Sequence, residues 1–286
     1  MPATAITLLE LIKKGESLLD EQECEGSLAG SEQIAMHLLG IASRVDLYSE
    51  PKTITDEIEG AFFSLIEKRA EGYPLQYVVG EVAFSDMIVQ VDERALIPRP
   101  ETEGLVDMCS KWYPHDEALA ILDLCTGSGC IAVSLATIFP SATVTAVDVS
   151  PDAVMCTRDN VRAHGLEERV NVIWCDLFAG LEGNQFDLIT VNPPYIPTGE
   201  LASLQEEIHY EPRIALNGGV DGLDIVRRIV EEVKQYMKPG GRVICELGDE
   251  QADMVLNYVG EKGYSYGEIH CDFAGKKRFV SWRNEE

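Results

Sequence analysis

Apolar residues recur at three- and four-residue spacing near the start of the chain and in strand-like runs further on. Leu8, Leu11 and Ile12, then Ile34, Leu38 and Leu39, then Ile58, Phe62, Leu65 and Ile66 each trace one face of a helix. Ser31 and Thr55 stand just ahead of two of these runs, where N-caps are expected. Proline and glycine are sparse within them, so residues 1–72 read as a small helical bundle. Between Gly72 and Pro98 the pattern changes. LQYVVGEVAF and MIVQV carry β-branched and aromatic residues on either side of Ser85-Asp86, which predicts a β-hairpin linker over 73–97.

The remainder, 98–286, reads as a second domain, in which strands and helices alternate from about residue 117. Strand-like runs are ALAILDL (118–124), TVTAVDV (143–149), RVNVIWC (169–175), FDLITV (186–191), RVICEL (242–247), YSYGEIHC (264–271) and KRFVSWR (277–283). Helical stretches at 129–138, 151–164, 221–237 and 250–260 fall between them. Such alternation means βαβ units, a mostly parallel sheet and helices on both faces. The short gap between the last two runs predicts an antiparallel pair. Seven strands ending in such a pair resemble the Rossmann-like, seven-stranded α/β fold of class I S-adenosylmethionine-dependent methyltransferases, and differ from a six-stranded dinucleotide domain.

Composition narrows the field. The chain has 286 residues, 45% hydrophobic and 25% charged, as a globular protein has. No run approaches the ~18 apolar residues of a membrane span, and no basic leader with an apolar core opens the sequence, so a cytoplasmic protein is the expectation. The eight cysteines form no CxxC pair and no Cys/His cluster, which speaks against a zinc site or a disulfide framework. Lys and Arg number 23 against 49 Asp and Glu, a net charge of −26. Phosphate neutralisation needs a basic face, so a naked nucleic-acid substrate is disfavoured. The acidity reads equally as a solubilising surface or as a docking face.

The first strand of the second domain ends in Asp123-Leu124-Cys125-Thr126-Gly127-Ser128-Gly129, and a helix follows at once. Glycines at such a turn let the backbone approach a ligand and expose helix N-terminal N–H groups. Asp148 closes the second strand, 21 residues beyond Gly127, where a carboxylate can accept both hydroxyls of a ribose. The segment Gly127-Ser128-Gly129-Cys130-Ile131-Ala132 also fits the dinucleotide pattern GxGxxA. Asp123 decides between the two cofactors: a carboxylate at the strand tip repels a pyrophosphate and suits the ammonium of a methionine moiety. Asp176 closes the third strand, and two readings stand for it. It can accept from the exocyclic amine of an adenine, with Leu177 and Phe178 giving apolar contact, or it can cap the next turn.

The fourth strand runs into Asn192-Pro193-Pro194-Tyr195-Ile196-Pro197. Two adjacent prolines lack N–H groups and fix φ, which frees the carbonyls of Asn192 and Pro193 as acceptors beside the Asn192 side chain. An NH₂ group that donates to these acceptors is held with its lone pair aimed elsewhere. If that direction faces a sulfonium methyl, positioning favours an in-line displacement, and the same oxygens stabilise positive charge as it develops on nitrogen. Tyr195 can stack on a planar amide or base, an interaction of ~1–3 kcal/mol.

Taken together, the chain resembles the HemK/PrmC family of peptide-chain release factor glutamine methyltransferases. The likeness runs through PLQYVVGEVAF (74–84), LIPRPETE (96–103), the DLCTGSG loop, NPPYIP, EPRIALNGGVDGLD (211–224) and AGKKRFV (274–280). The resemblance implies S-adenosylmethionine as methyl donor, S-adenosylhomocysteine as product, and as acceptor the glutamine of a release factor's Gly-Gly-Gln loop. It implies cofactor contacts at Cys125, Thr126, Gly127, Ser128, Gly129, Asp148, Leu177 and Asn192, with Asn192, Pro193, Pro194 and Tyr195 holding the glutamine amide; Asp176 joins the cofactor contacts on its strand-tip position alone. No metal is implied. By the family's precedent the acidic N-terminal domain, with 17 acidic and 6 basic residues over 1–92, contacts the release factor.

Two positions depart from the family pattern. Cys125 stands where many members have glycine, which is read as excluding a left-handed backbone there. Leu177 stands where many have an aromatic, which leaves an aliphatic or backbone contact for the adenine. Arg99, Glu101, Glu103, Glu211 and Arg213 are read either as pocket residues or as solvated charges. Two enzyme alternatives stay open: a ribosomal-protein glutamine methyltransferase and an adenine-N6 nucleic-acid methyltransferase, the latter opposed by the charge. A nicotinamide dehydrogenase lacks a suitably arranged His or Tyr-Lys pair.

Overall fold

Thr7 opens the first helix with a reciprocal cap: its Oγ1 accepts the Glu10 N–H at 3.3 Å, and its own N–H donates to the Glu10 carboxylate at 2.9 Å. The computed structural model describes residues 6–49 and 51–284. It divides into two units, one running to Glu81 and taking in Gln205–Tyr210, the other made of Val82–Leu204 and the chain from Glu211 onward.

In the first unit, α1 (Leu8–Glu21), α2 (Ser27–Leu39), α3 (Arg44–Ser49) and α4 (Asp56–Ala70) bury Leu11, Ile34, Leu47, Phe62 and Ile66 completely. A Cβ at Gly15 would lie 2.7 Å from the Phe62 ring, so α1 and α4 can approach this closely only because position 15 has no side chain. Thr55 caps α4, accepting the Ile58 N–H at 3.2 Å. Ser31 does not cap: it lies inside α2 and donates its hydroxyl to the Ile12 carbonyl at 2.7 Å, joining two helices. Leu75–Val79, predicted as strand, is a short helix, α5. Pro74 presets its start with φ −54°, Gly80 ends it at φ +83°, and burial of Val78 in the helical core outweighs β propensity. The segment 205–210 attaches through the Arg69–Glu207 ion pair at 2.5 Å and a hydrogen bond from the Tyr210 hydroxyl to the Glu71 carbonyl at 3.0 Å.

The hairpin is confined to β1 (Glu81–Phe84) and β2 (Met87–Gln90), a sheet of its own. After α6 (Glu103–Trp112), the second unit alternates β3 (Ala120–Leu124), α7 (Cys130–Ile138), β4 (Thr143–Asp148), α8 (Pro151–Ala163), β5 (Val170–Trp174) and β6 (Phe186–Val191). Next come α9 (Arg213–Leu216), α10 (Asp224–Glu232), β7 (Met237–Glu246), α11 (Ala252–Glu261), β8 (Ser265–Cys271) and β9 (Lys277–Arg283). The seven strands from β3 onward lie in the order β5-β4-β3-β6-β7-β9-β8. Neighbours are parallel through β7, and β9 is antiparallel to both β7 and β8. This is the seven-stranded class I methyltransferase sheet.

The chain enters the sheet at its middle, winds outward to β5, then returns to β6. Ligands bind beyond the carboxyl ends of the strands at such a reversal. The register says which residues meet there. Leu124 pairs with both Val147 and Val191, and Val191 pairs with Cys245. One step further along, Asp148, Cys125, Asn192 and Glu246 stand in a row across four strand tips. Among the described residues no helix is long and apolar enough to cross a membrane.

Candidate functional site

Three residues of the loop after β3 adopt positive φ: Cys125 at +57°, Gly127 at +59° and Gly129 at +82°. The left-handed backbone at Cys125 reverses the expectation that cysteine excludes it; position 125 needs that conformation and accepts a side chain at a conformational cost. A Cβ at Gly129 would lie 2.7 Å from Thr157 Cγ2, so the loop packs directly on α8, while the space around a Cβ at Gly127 is open. The loop is tied down on several sides. The Asp148 carboxylate accepts the N–H groups of Gly127 and Ser150, each at 2.9 Å. The Thr157 hydroxyl donates to the Gly127 carbonyl and the buried Asn160 amide to the Ser128 carbonyl, both at 2.9 Å. Burial raises the Asp148 pKa, with the N–H groups of Ser150 and Gly127 opposing.

Asp123 does not act as the sequence reading proposed. It is fully buried, away from the cavity wall, and accepts the Thr126 and Thr190 hydroxyls at 2.6 and 2.7 Å. Burial pushes its pKa up to about 6. Its task is to brace the loop against β6, and the ammonium-binding argument for it lapses.

A cavity of about 520 Å³ opens over the strand tips, within the size range of small-molecule sites. Cys125, Thr126, Gly127, Ser128, Asp148, Asp176, Leu177 and Asn192 all line it. Gly129 lies behind the wall, against Thr157. Asp176 is held by Arg228 of α10 at 2.8 Å, which supersedes the reading of its side chain as a cap. Leu177 is buried at φ +50°. The mix of a glycine turn, a two-handed carboxylate and an apolar floor fits a nucleoside.

At the tip of β6 the Asn192 Nδ2 donates to Thr102 Oγ1 at 3.2 Å. Among the described residues nothing donates to Asn192 Oδ1 or to the Pro193 carbonyl. Asn192 and Pro194 face the cavity; Pro193 is buried and Tyr195 half-buried beside it. Burial, with the Glu246 carboxyl nearby, pushes the Tyr195 phenol up to about 12. The backbone here is clamped from outside. The Gln251 amide donates to the Tyr195 carbonyl at 2.9 Å and accepts the Gly248 N–H at 2.8 Å, while Ile196 exchanges backbone bonds with Leu216 and Gly218 at 3.0 and 2.9 Å. A Cβ at Gly222 would lie 2.2 Å from the Tyr195 carbonyl oxygen. The NGGVDG stretch is therefore the surface against which NPPY is pressed.

Arg99 and Arg213 line the cavity, and Glu101 is exposed. Arg99 pairs with Glu211, a buried carboxylate that also accepts the Ile97 N–H at 3.0 Å. Glu211 thus anchors the IPRP turn. Sequence reasoning missed Thr102, Glu246 and Gln251. A lone acid in the apolar run RVICEL was the available signal for Glu246.

The chain is similar to known proteins along most of its length. The PrmC N-terminal domain family matches residues 10–80, and the Methyltransferase small domain family matches residues 106–247. A release factor glutamine methyltransferase of Geobacter sulfurreducens is 40% identical over 260 residues, 90% of each chain. A ribosomal protein uL3 glutamine methyltransferase of Francisella tularensis is 38% identical over 232 residues, 78% of this chain and 74% of that one. A solved methyltransferase of Pyrococcus furiosus, 17% identical, shares the fold with a TM-score of 0.52 over 69% of this chain and 89% of its own.

Proposed function

The chain belongs to the PrmC/HemK family of release factor glutamine methyltransferases, S-adenosylmethionine-dependent enzymes, and we propose that its cavity joins the donor to a Gly-Gly-Gln glutamine at Asn192-Pro193-Pro194-Tyr195. The observation that carries this is the pair of unclaimed acceptors, Asn192 Oδ1 and the Pro193 carbonyl, one strand from the glycine loop after β3 and two from Asp148 on β4.

S-adenosylmethionine, when bound, supplies an electrophilic methyl on a sulfonium. Cys125–Gly129, Asp148 and Leu177 would hold it, Asp148 by accepting from ribose hydroxyls with the lone pairs that Gly127 and Ser150 leave. Asp176, already paired with Arg228, would offer the adenine amine its second oxygen. The protein's work on the acceptor is orientation. An amide nitrogen is a weak nucleophile, since its lone pair is delocalised into the carbonyl. Two fixed acceptors that take both N–H groups turn that nitrogen's face toward the donor and favour the charge it gains. Tyr195, pressed in place by Gly222 and Gln251, would pack on the amide plane. We assign release factor recognition to the acidic N-terminal unit.

The uL3 relative keeps a second acceptor open within the same chemistry. The test is methyl transfer from labelled donor to three acceptors in parallel: a release factor, a uL3-type ribosomal protein and an adenine-containing duplex. Transfer to the release factor with at least tenfold higher kcat/KM supports the reading, and preference for either other acceptor contradicts it.

A further inference from the structure

Glu246 ends β7 one position beyond the Val191–Cys245 pair, so it stands beside Asn192 on the same face of the sheet. It is 1% exposed, and its Oε2 makes no hydrogen bond among the described residues. A buried carboxyl with an unclaimed oxygen is costly, and its place beside the reacting end of the cavity asks for an account. The Thr102 hydroxyl and the Asn192 carboxamide face it. Thr102 is itself 1% exposed and receives the Asn192 Nδ2 at 3.2 Å.

We infer that Glu246 is a positioning residue that acts through Thr102 to fix which way the Asn192 carboxamide points. This role rests on the reading of Asn192 as the holder of the glutamine amide. A hydroxyl has one proton. When Thr102 donates it to a carboxylate, its oxygen is left only as an acceptor, and the carboxamide must present its NH₂. Asn192 Oδ1 is then turned away from Thr102 and is free to accept from the glutamine. Without an anionic acceptor at position 246, the hydroxyl can donate to Oδ1 of a flipped carboxamide. Two NH₂ groups would then confront each other where one hydrogen bond is needed. An unmade bond of this kind lowers the rate about ten- to hundredfold.

The surroundings allow the carboxyl to titrate in the working range. Burial raises its pKa to about 7; Thr102, Arg278 of β9 and Asn192 favour the anion, and Glu101 ahead of α6 opposes it. The Tyr195 phenol and the thiols of Cys245 and Cys130 also feel its charge. In the protonated acid the donor direction toward Thr102 is no longer dictated, so the rate falls as pH drops through about 7.

The experiment compares Glu246→Gln, Thr102→Val, their double variant and Asn192→Ala in the full chain, with a release factor as acceptor. We expect Glu246→Gln and Thr102→Val each to lose about ten- to hundredfold in kcat, with donor Kd and acceptor KM within about threefold of wild type. The double variant is expected to be no worse than the poorer single, and the acid limb of the wild-type profile is expected to be absent in Glu246→Gln. Wild-type kcat in both single variants, losses confined to KM, or independent losses that multiply would overturn the inference. Should Glu246→Gln fail to fold, Thr102→Val decides alone, by reduced kcat with donor affinity kept or by a wild-type rate. An inactive Asn192→Ala beside fully active Glu246→Gln and Thr102→Val sinks only the role of Glu246, whereas an active Asn192→Ala sinks the reading of the site.

Discussion

The Asp148 carboxylate accepts the Gly127 N–H at 2.9 Å, so the acid that ends β4 and the glycine that turns after β3 are a single unit. In the proposed donor site the ribose acceptor and the backbone cradle are thereby set by the same contact.

Asp148→Asn tests that unit. An amide at 148 keeps one acceptor but turns an NH₂ toward either Gly127 or Ser150, both of which donate. One mismatched bond costs about 1–3 kcal/mol, so S-adenosylmethionine affinity measured by calorimetry is expected to fall roughly tenfold or more. Unchanged affinity would remove Asp148 from the donor site.

The positive φ at Cys125 makes an unusual order of stabilities. In ordinary backbone alanine is the more stabilising substitute, because glycine carries extra unfolded-state entropy. At φ +57° the Cβ of alanine is penalised and glycine is not. Thermal unfolding should find Cys125→Gly more stable than Cys125→Ala by about 1 kcal/mol. Alanine ahead of glycine would contradict the left-handed turn.

Asp123 couples the same loop to pH. Its folded pKa, about 6, lies above the ordinary 3.8, so between those values the folded chain binds the proton more tightly than the unfolded chain. Its contribution to stability is therefore greatest below about pH 4 and is lost as pH rises through about 6. Asp123→Asn, which can still bond both threonines, is expected to exceed wild type in Tm at pH 7.5, to keep about half of that margin at pH 5 and to lose nearly all of it below about pH 4. The difference corresponds to about 1–3 kcal/mol. A margin that does not change with pH would contradict a titrating Asp123.

Much of this was readable from the chain because period and position coincide. The glycine loop, Asp148 and NPPY lie at strand ends, and strand ends are where alternation of apolar runs gives way to turns. What escaped depends on contacts that periodicity does not encode. Ser31 looked like a cap because its residue type suits one, yet it serves as a bridge from α2 to the Ile12 carbonyl. LQYVV looked like a strand by β-branching, yet Pro74 and Gly80 bracket a helix. Asp123 was read as a ligand because it precedes the loop, but the threonines at 126 and 190, three and 67 positions away, claim both its oxygens. Glu246 and Gln251 meet the reaction site only through strand order and loop closure, relations that distance along the sequence does not reveal.

The most direct test is to map the methyl group. A release factor is incubated with isotopically labelled S-adenosylmethionine and the enzyme, and its peptides are sequenced by mass spectrometry. We expect the wild-type enzyme to place one methyl on the side-chain amide of the Gly-Gly-Gln glutamine, and Asn192→Ala to place none while binding the donor normally. A methyl on any other residue, or undiminished labelling by Asn192→Ala, would contradict the account.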